Sequence, residues 1–142
     1  MEAASRSYVF DAFALVAYFR NEPAAARVSE LLRSADQGES SLMMSVMNWG
    51  EVLYESQRRR GPEDVPQTVA IIDSMPIELV DVGKELARAA AQFKARGGLS
   101  YADCYAAALA QRNDAAVVTG DPEFHSVEGV IRIEWLPQRP RL

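Results

Sequence analysis

The chain has 142 residues, of which 49% are hydrophobic, and a formal net charge of −5; this fits one globular domain with its own core. One cysteine and one histidine exclude an internal disulfide and a multi-histidine metal site, and disfavour a cysteine-based zinc site. The negative charge argues against binding nucleic acid through overall basic charge, but not against acids that bind a metal.

The sequence also lacks the pattern of a membrane or targeting segment. No apolar run approaches the ~20 residues that span a bilayer, and the polar start Met1–Ser7 has no signal-peptide core. We therefore expect a cytoplasmic protein without membrane contact. We expect one domain over residues 1–142, with residues 1–6 as a short extension and residues 137–142 as a tail.

Strands and helices are predicted to alternate along the chain. In chain order, the first half gives Ser7–Phe10 (strand), Ala12–Arg20 (helix), Ala24–Ala35 (helix, with Pro23 in its first turn), Ser41–Met44 (strand), Val46–Arg60 (helix, capped by Ser45) and about Pro66–Ser74 (helix). The second half gives Ile77–Val80 (strand), Lys84–Arg96 (helix), Ser100 to about Gln111 (helix), Ala115–Thr119 (strand), Asp121–His125 (turn or short helix) and Val130–Trp135 (strand). This alternation is typical of α/β layers around a mostly parallel sheet.

Two acids follow predicted strands. Asp11 comes directly after the first strand, and Asp121 follows the fourth strand after a single glycine. Residues that follow parallel strands gather at the carboxyl edge of the sheet, where α/β proteins bind ligands. Both acids are therefore expected at that edge.

Two further acids lie on predicted helices. Asp103 is the one charged residue of Tyr101–Ala110, whose other side chains are apolar or aromatic, so this helix should be buried. Glu51 lies at the edge of a predicted apolar face of the helix Val46–Arg60. That face consists of Val46, Trp49, Gly50, Leu53 and Tyr54.

Each acid also has a structural interpretation, because short polar side chains commonly cap helices. Asp11 can cap the helix after it, Asp103 can form a capping box with Ser100, and Asp121 can cap the turn that follows. Glu51 can be a solvated helix residue. For each acid taken singly, the structural interpretation is favoured.

Taken together, the four acids favour a functional site. Carboxylates that converge in one cleft repel one another, and burying them without a partner is costly, so a cation is expected. Oxygen ligands fit Mg²⁺ or Mn²⁺, and such ions suit phosphoryl transfer. The residues leave open whether one or two ions bind.

Four segments carry a resemblance to a known family. They are Tyr8–Leu15 with Asp11, Ser45–Val52 with Glu51, Leu99–Ala110 with Asp103, and Val117–Phe124 with Asp121. In order and spacing they resemble PIN-domain ribonucleases, and most of all the VapC-like toxins of type II toxin–antitoxin pairs. No segment is specific alone, but the ordered set covers nearly the whole chain. Trp49 departs from the pattern because it is bulky beside the second acid.

The resemblance implies a fold and an activity. The fold would be a PIN-like three-layer α/β/α sandwich around a mostly parallel sheet of about five strands. The activity would be Mg²⁺- or Mn²⁺-dependent endoribonucleolysis by a metal-activated water. The implied catalytic acids are Asp11, Glu51, Asp103 and Asp121, of which Asp11, Asp103 and Asp121 would bind the metal. Thr119 would hold a carboxylate or a water from behind, and Asn48, one turn before Glu51, would line the rim of the same pocket.

The resemblance also implies partners. These are an RNA substrate such as a tRNA or rRNA loop, a second copy in a homodimer, and a cognate antitoxin that inserts a basic or blocking segment into the acidic pocket. Arg58, Arg59 and Arg60 are weaker candidates for RNA contact, because arginines at the end of a helix also interact favourably with its C-terminus.

Two other functions are alternatives to this one. The first is a non-catalytic PIN-like module that binds RNA or protein, although the presence of all four acids favours catalysis. The second is another acidic phosphoryl enzyme, but a haloacid-dehalogenase-type phosphatase would have Asp-x-Asp where this chain has Asp11-Ala12-Phe13. His125 is interpreted as a surface histidine rather than a general base, because a metal already activates water.

Overall fold

The computed structural model of the chain describes residues 6–137. Its strands are β1 (Arg6–Phe10), β2 (Ser40–Ser45), β3 (Ile77–Val80), β4 (Ala116–Thr119) and β5 (Arg132–Trp135). Its helices are α1 (Ala12–Phe19), α2 (Ala25–Asp36), α3 (Val46–Arg60), α4 (Val65–Asp73), α5 (Lys84–Arg96) and α6 (Tyr101–Arg112), with 3₁₀ turns at Pro62–Asp64 and Pro122–Val127. Apart from Arg6 and Pro137, the predicted extension and tail lie outside the described residues.

The five strands run parallel in one sheet, in the order β3-β2-β1-β4-β5. β1 pairs with β2 on one side and with β4 on the other, where Phe10 lies opposite Val118. The strand order therefore runs outward from β1 in two directions. Ligands of open α/β sheets bind beyond the carboxyl ends of the strands at such a switch point. Asp11 and residues 119–121 lie there.

Helices cover both faces of the sheet. Buried side chains of α1 and α2, with Val52 of α3 and Ile72 of α4, pack on one face against Phe10 and Val118. Buried side chains of α5 and α6 pack on the other face, against strand residues such as Val9 and Val117. The central strands β1, β2 and β4 contain continuous buried apolar runs, as is typical of strands buried on both faces, and this explains why these three are legible in the sequence.

The predicted three-layer α/β/α sandwich is confirmed, with a sheet that is parallel throughout. The bounds of α3, β3 and α5 are those predicted, and the other elements differ by a residue or two at their ends. Among residues 6–137, no helix combines the length and the hydrophobicity that crossing a bilayer requires.

The predicted start of α2 is wrong. Pro23 lies outside the helix, which begins at Ala25 with Ala24 as its N-cap. The backbone N–H of Ala25 donates to the carbonyl of Glu22 at 2.9 Å, so a turn precedes the helix and contains the proline.

The predicted apolar face of α3 is also wrong. The buried residues of this helix are Asn48 and Val52, whereas Tyr54 is 52% exposed. The Asn48 side chain accepts a hydrogen bond from Ser45 and donates one to the carbonyl of Ala102. These bonds offset the free-energy cost of removing the amide group from water. A hydropathy pattern assigns an asparagine to the surface because it does not include such bonds.

The glycine between Thr119 and Asp121 predicts a stability effect. A Cβ on Gly120 would lie 2.4 Å from Cε1 of Phe13, so alanine requires that ring to move out of its packing. We expect Gly120→Ala to lower the free energy of unfolding by about 1–3 kcal/mol, measured by urea denaturation. Gly129→Ala is the matched control, because its Cβ would meet nothing within 4 Å. Equal stability of the two variants would contradict the prediction.

Candidate metal centre

The ends of β1 and β4 are joined by the side chain of Thr119. Its buried hydroxyl donates a hydrogen bond to Oδ2 of Asp11 and accepts one of 3.0 Å from the backbone N–H of Asp121. One hydroxyl thus fixes two of the predicted acids relative to each other. This contact agrees with a supporting position for Thr119 behind the carboxylates.

Asp11 and Asp121 each cap the element that follows. Oδ1 of Asp11 accepts from the N–H of Ala14 at 3.1 Å, and Oδ1 of Asp121 accepts from the N–H of Glu123 at 2.9 Å. The capping interpretation is confirmed for both acids. It does not exclude a role in the site, because a carboxylate has two oxygens with several acceptor positions. Capping instead fixes the direction in which each carboxylate points.

Asp103 lies in the first turn of α6 and is 6% exposed. The Ser100 hydroxyl accepts from its backbone N–H at 3.4 Å and donates to its Oδ2 at 3.0 Å. Nearby, Nδ2 of Asn48 donates to the carbonyl of Ala102 at 3.2 Å. This bond ties α3, which carries Glu51, to the start of α6. Asn48 therefore acts through the backbone next to Asp103 and does not line the pocket itself.

Glu51 is half-buried on α3, and its Oε1 has no hydrogen-bond partner within residues 6–137. A buried carboxylate oxygen without a donor is costly. The neighbouring side chains add negative charge rather than a hydrogen-bond donor, because the carboxylates of Glu55 and Asp121 repel that of Glu51. A cation at this position would supply the missing partner.

The four predicted acids converge in one pocket of about 180 Å³. Its lining residues are Asp11, Ala12, Phe13, Val16, Glu51, Glu55, Asp103 and Asp121. Apolar side chains of α1 form part of the wall, and carboxylates from four separate elements form the rest. The arrangement is a cleft with a concentrated negative charge at the carboxyl edge of the sheet.

Burial, together with neighbouring negative charge, raises the pKa values of Asp11, Asp103 and Glu51. Burial raises the pKa of Asp11 well above its usual range, and the charge of Asp103 adds to the effect. Burial, followed by the charge of Asp121, raises the pKa of Asp103 to about 7. Burial, followed by the charge of Glu55, raises the pKa of Glu51. Protons thus replace part of the missing positive charge, and a divalent cation would displace them.

Two acids of the site were missed in the sequence. Carboxylate oxygens of Asp103, Asp121 and the exposed Glu123 lie within 4.8 Å of one another, close enough to contact one ion. Glu55 lines the pocket one helical turn after Glu51. The i,i+4 spacing on α3 could have revealed Glu55, whereas Glu123 reads as an ordinary acid in the first turn of a helix.

The arginine run lies at the exposed end of α3. Arg58 pairs with Glu55 at 2.8 Å, and Arg60 lies 4.0 Å from Asp64. Arg59 forms no ion pair within the described part of the chain, and it lines a notch that shares Val16 and Glu55 with the acidic pocket. The run therefore borders the site through Glu55, and its contact with RNA stays a prediction.

A comparison with models of protein families identifies the family of the chain that carries this pocket. The model of the PIN domain matches residues 8–130, a stretch that includes all four predicted acids. The chain belongs to the PIN domain family. The comparison with curated proteins found no match.

Solved structures share the fold of this PIN domain. A chain of VapBC2 from Rickettsia felis, bound to a fragment of promoter DNA, gives a TM-score of 0.70 at 17% identity, covering 92% of this chain and 99% of that one. DNA-bound VapBC from Salmonella typhimurium gives 0.69 at 21% identity, covering 91% and 97%. VapC20 from Mycobacterium tuberculosis, a toxin that cleaves the sarcin-ricin loop, gives 0.68 at 17% identity, covering 94% and 99%. At these identities the likeness establishes the fold.

The raised pKa of Asp103 predicts how stability of the metal-free protein depends on pH. The unfolded chain releases this proton near pH 3.9, the ordinary value for an aspartate, whereas the folded chain keeps it until about pH 7. Asp103 therefore stabilises the fold in acid, and this contribution is lost as the pH rises from about 4 through about 7.

Urea denaturation of metal-free wild type and Asp103→Asn at several pH values measures this contribution. We expect the free energy of unfolding of the wild type, relative to that of the variant, to fall between about pH 4 and about pH 7. Glu39→Gln, an exposed site at the opposite edge of the sheet, should follow the wild type. Parallel curves for wild type and Asp103→Asn would refute the assignment.

Proposed function

We propose that this PIN domain is a divalent-metal-dependent endoribonuclease, the toxin of a toxin–antitoxin pair. The observation that carries the proposal is the convergence of Asp11, Glu51, Asp103 and Asp121 in one pocket. The raised pKa values of Asp11, Glu51 and Asp103, and the Glu51 oxygen that has no partner among residues 6–137, mark a site that needs positive charge. The membership of the PIN family supports nuclease chemistry at this site.

The residues present fit a hard divalent cation such as Mg²⁺ or Mn²⁺, because the donors are all carboxylate oxygens. Asp11, Asp103 and Asp121 would hold the ion, with Glu123 within reach of the last two. When bound, such an ion supplies an activated water and neutralises negative charge on a phosphodiester.

The other polar groups keep the carboxylates in position. Thr119 fixes Asp11 relative to the start of the turn at Asp121, and Ser100 fixes Asp103. Glu51 faces the pocket with a free oxygen, so it is placed to accept a hydrogen bond from the attacking water and to orient it. Residues held in this way need no rearrangement when substrate binds, which favours catalysis by positioning.

The proposed substrate is RNA, of the tRNA or rRNA class, which such a toxin would meet in the cytoplasm. VapC20, which shares the fold, cleaves the sarcin-ricin loop, and this supports an RNA loop as the proposed class of substrate. The exposed Arg58, Arg59 and Arg60 border the acidic pocket and would contact the RNA backbone.

The proposed protein partners are a cognate antitoxin and a second copy of the chain. A pocket lined by five acids is complementary to a basic segment of an antitoxin, and chains of toxin–antitoxin complexes share the fold. Met47 and Tyr101, which are 37% and 46% exposed, lie beside the contact between α3 and α6. They offer apolar surface to a homodimer.

Calorimetric titration with Mn²⁺ tests the metal site. We expect the wild type to bind the ion and Asp103→Asn to bind it at least about 100-fold more weakly, since residues behind metal ligands already change affinity 10–100-fold. Glu39→Gln removes the same charge at the far edge of the sheet and should bind as the wild type does. Cleavage of purified tRNA and rRNA should be lost in parallel with Mn²⁺ binding in Asp103→Asn.

A folded wild type that binds no Mn²⁺ would overturn this proposal. It would favour the alternative function, a non-catalytic PIN-like module that binds RNA or protein. Circular dichroism of Asp103→Asn must accompany the titration, because this residue also belongs to the cap of α6.

Thr119→Val tests the supporting role of the hydroxyl. The substitution keeps the shape but removes the hydrogen bond to Asp11 and the acceptor for the N–H of Asp121. We expect Mn²⁺ affinity to fall about 10–100-fold and Thr119→Ser to restore most of it. Thr68→Val, at the other buried threonine, is the control and should leave Mn²⁺ binding unchanged. Equal affinity of Thr119→Val and the wild type would show that the hydroxyl has no part in the metal site.

A further inference from the structure

The chain's one histidine stacks on a tryptophan. The ring centroids of His125 and Trp135 are 4.3 Å apart, and the ring planes are inclined by 27°. His125 lies in the turn Pro122–Val127, which Asp121 caps, and Trp135 ends β5. The stacked pair therefore joins the turn after the fourth acid to the edge strand of the sheet.

Glu128 holds both rings in place. Its Oε1 lies 2.6 Å from Nδ1 of His125, and its Oε2 accepts a 3.1 Å hydrogen bond from Nε1 of Trp135. These contacts, the one with His125 foremost, hold the pKa of Glu128 below its usual value. A ring pair fixed in this way loses little conformational entropy when a further ring stacks on it.

One side of this pair is open to solvent. Trp135 packs partly against the core formed with α5 and α6, whereas the side chain of His125 is 63% exposed. Because Trp135 covers one face of the imidazole, the exposed surface includes the opposite face. Fixed, exposed rings are what single-strand-binding proteins offer to unpaired bases.

The open ring is close along the chain to Asp121, which lines the acidic pocket. His125 follows Asp121 by four residues, which is about 8 Å along a 3₁₀ helix at roughly 2.0 Å per residue. Stacked nucleotides are spaced about 3.4 Å apart along a strand, so the ring lies within a few nucleotides of a phosphate bound at the acids.

We propose that the open face of His125 binds an unpaired base of the RNA, next to the phosphate that the acidic pocket receives. The inference rests on the proposed ribonuclease function and adds a base-stacking subsite to it. In this subsite Trp135 backs the histidine and Glu128 orients both rings. The subsite discriminates an unpaired base from a bare sugar-phosphate strand, and it requires no metal.

The test measures binding of two short probes, an oligoadenylate and its abasic counterpart, in the presence of a chelator. Anisotropy of the labelled probes gives affinity, and the fluorescence of Trp135 in a Trp49→Phe background reports contact at this place, since the chain has two tryptophans. We expect oligoadenylate to bind and to change the Trp135 emission, and the abasic strand to do neither. His125→Ala should weaken oligoadenylate binding about tenfold, within the range for one stacked base.

His125→Phe separates stacking from the hydrogen bond to Glu128, because it keeps a ring but cannot contact the carboxylate. We expect this variant to bind oligoadenylate nearly as well as the wild type. The proposal is overturned if His125→Ala binds as tightly as the wild type, if His125→Phe is as weak as His125→Ala, or if the abasic strand binds as well as oligoadenylate.

Failure of this inference is distinguishable from failure of the ribonuclease proposal. His125→Ala should keep the wild-type Mn²⁺ affinity, because no metal-binding oxygen is removed. A wild type that binds Mn²⁺ and cleaves RNA, with oligoadenylate binding unchanged in His125→Ala, would refute the stacking subsite alone. Loss of affinity in His125→Ala with intact Mn²⁺ binding supports the subsite.

Discussion

The structure depends on confining like charges at the carboxyl edge of a parallel sheet. Asp11 and Asp103 are almost fully buried there, with Glu51 and Asp121 in the same pocket. Other interactions of the fold must offset the repulsion between these carboxylates. Thr119 and Ser100 each donate a hydrogen bond to one of the two buried carboxylates. Helix capping then fixes the directions of Asp11 and Asp121. The fold therefore holds an arrangement that is unfavourable without a cation, and the raised pKa values express that cost.

The sequence predicted the features that depend on local pattern and chain order. The central strands β1, β2 and β4 contain buried apolar runs and are therefore legible. The acids that follow β1 and β4 must meet at a switch point once the sheet is parallel. Asp103 was singled out because a charged side chain on an otherwise apolar helix is costly to bury without a partner. Capping does not compete with a role in the pocket, since Asp11 caps α1 with Oδ1 and accepts the hydrogen bond of Thr119 with Oδ2.

What the sequence could not predict depends on contacts between distant segments. The buried face of α3 was misassigned because Asn48 is polar, and its burial is made possible by the carbonyl of Ala102, 54 positions away. Glu123 became part of the acidic group only through the approach of α6 to the turn after β4. His125 looked like an isolated surface residue because its partner Trp135 lies in a different element, the strand β5. Periodicity describes one element at a time and contains no information on such pairs.

The net charge of −5 limits how a protein of this kind holds RNA. Attraction between basic residues and phosphates supplies most non-specific binding in ordinary nucleic-acid-binding proteins, and here two of the three arginines beside the pocket already face acids. Without a cation the acidic pocket would repel a phosphate, so a bound cation would replace this repulsion by an attraction for the backbone. Binding energy that is independent of charge must then come from bases, which is what a ring pair such as His125 and Trp135 provides. Because the turn Pro122–Val127 carries both Glu123 and His125, its rigidity would set the distance between the two contributions.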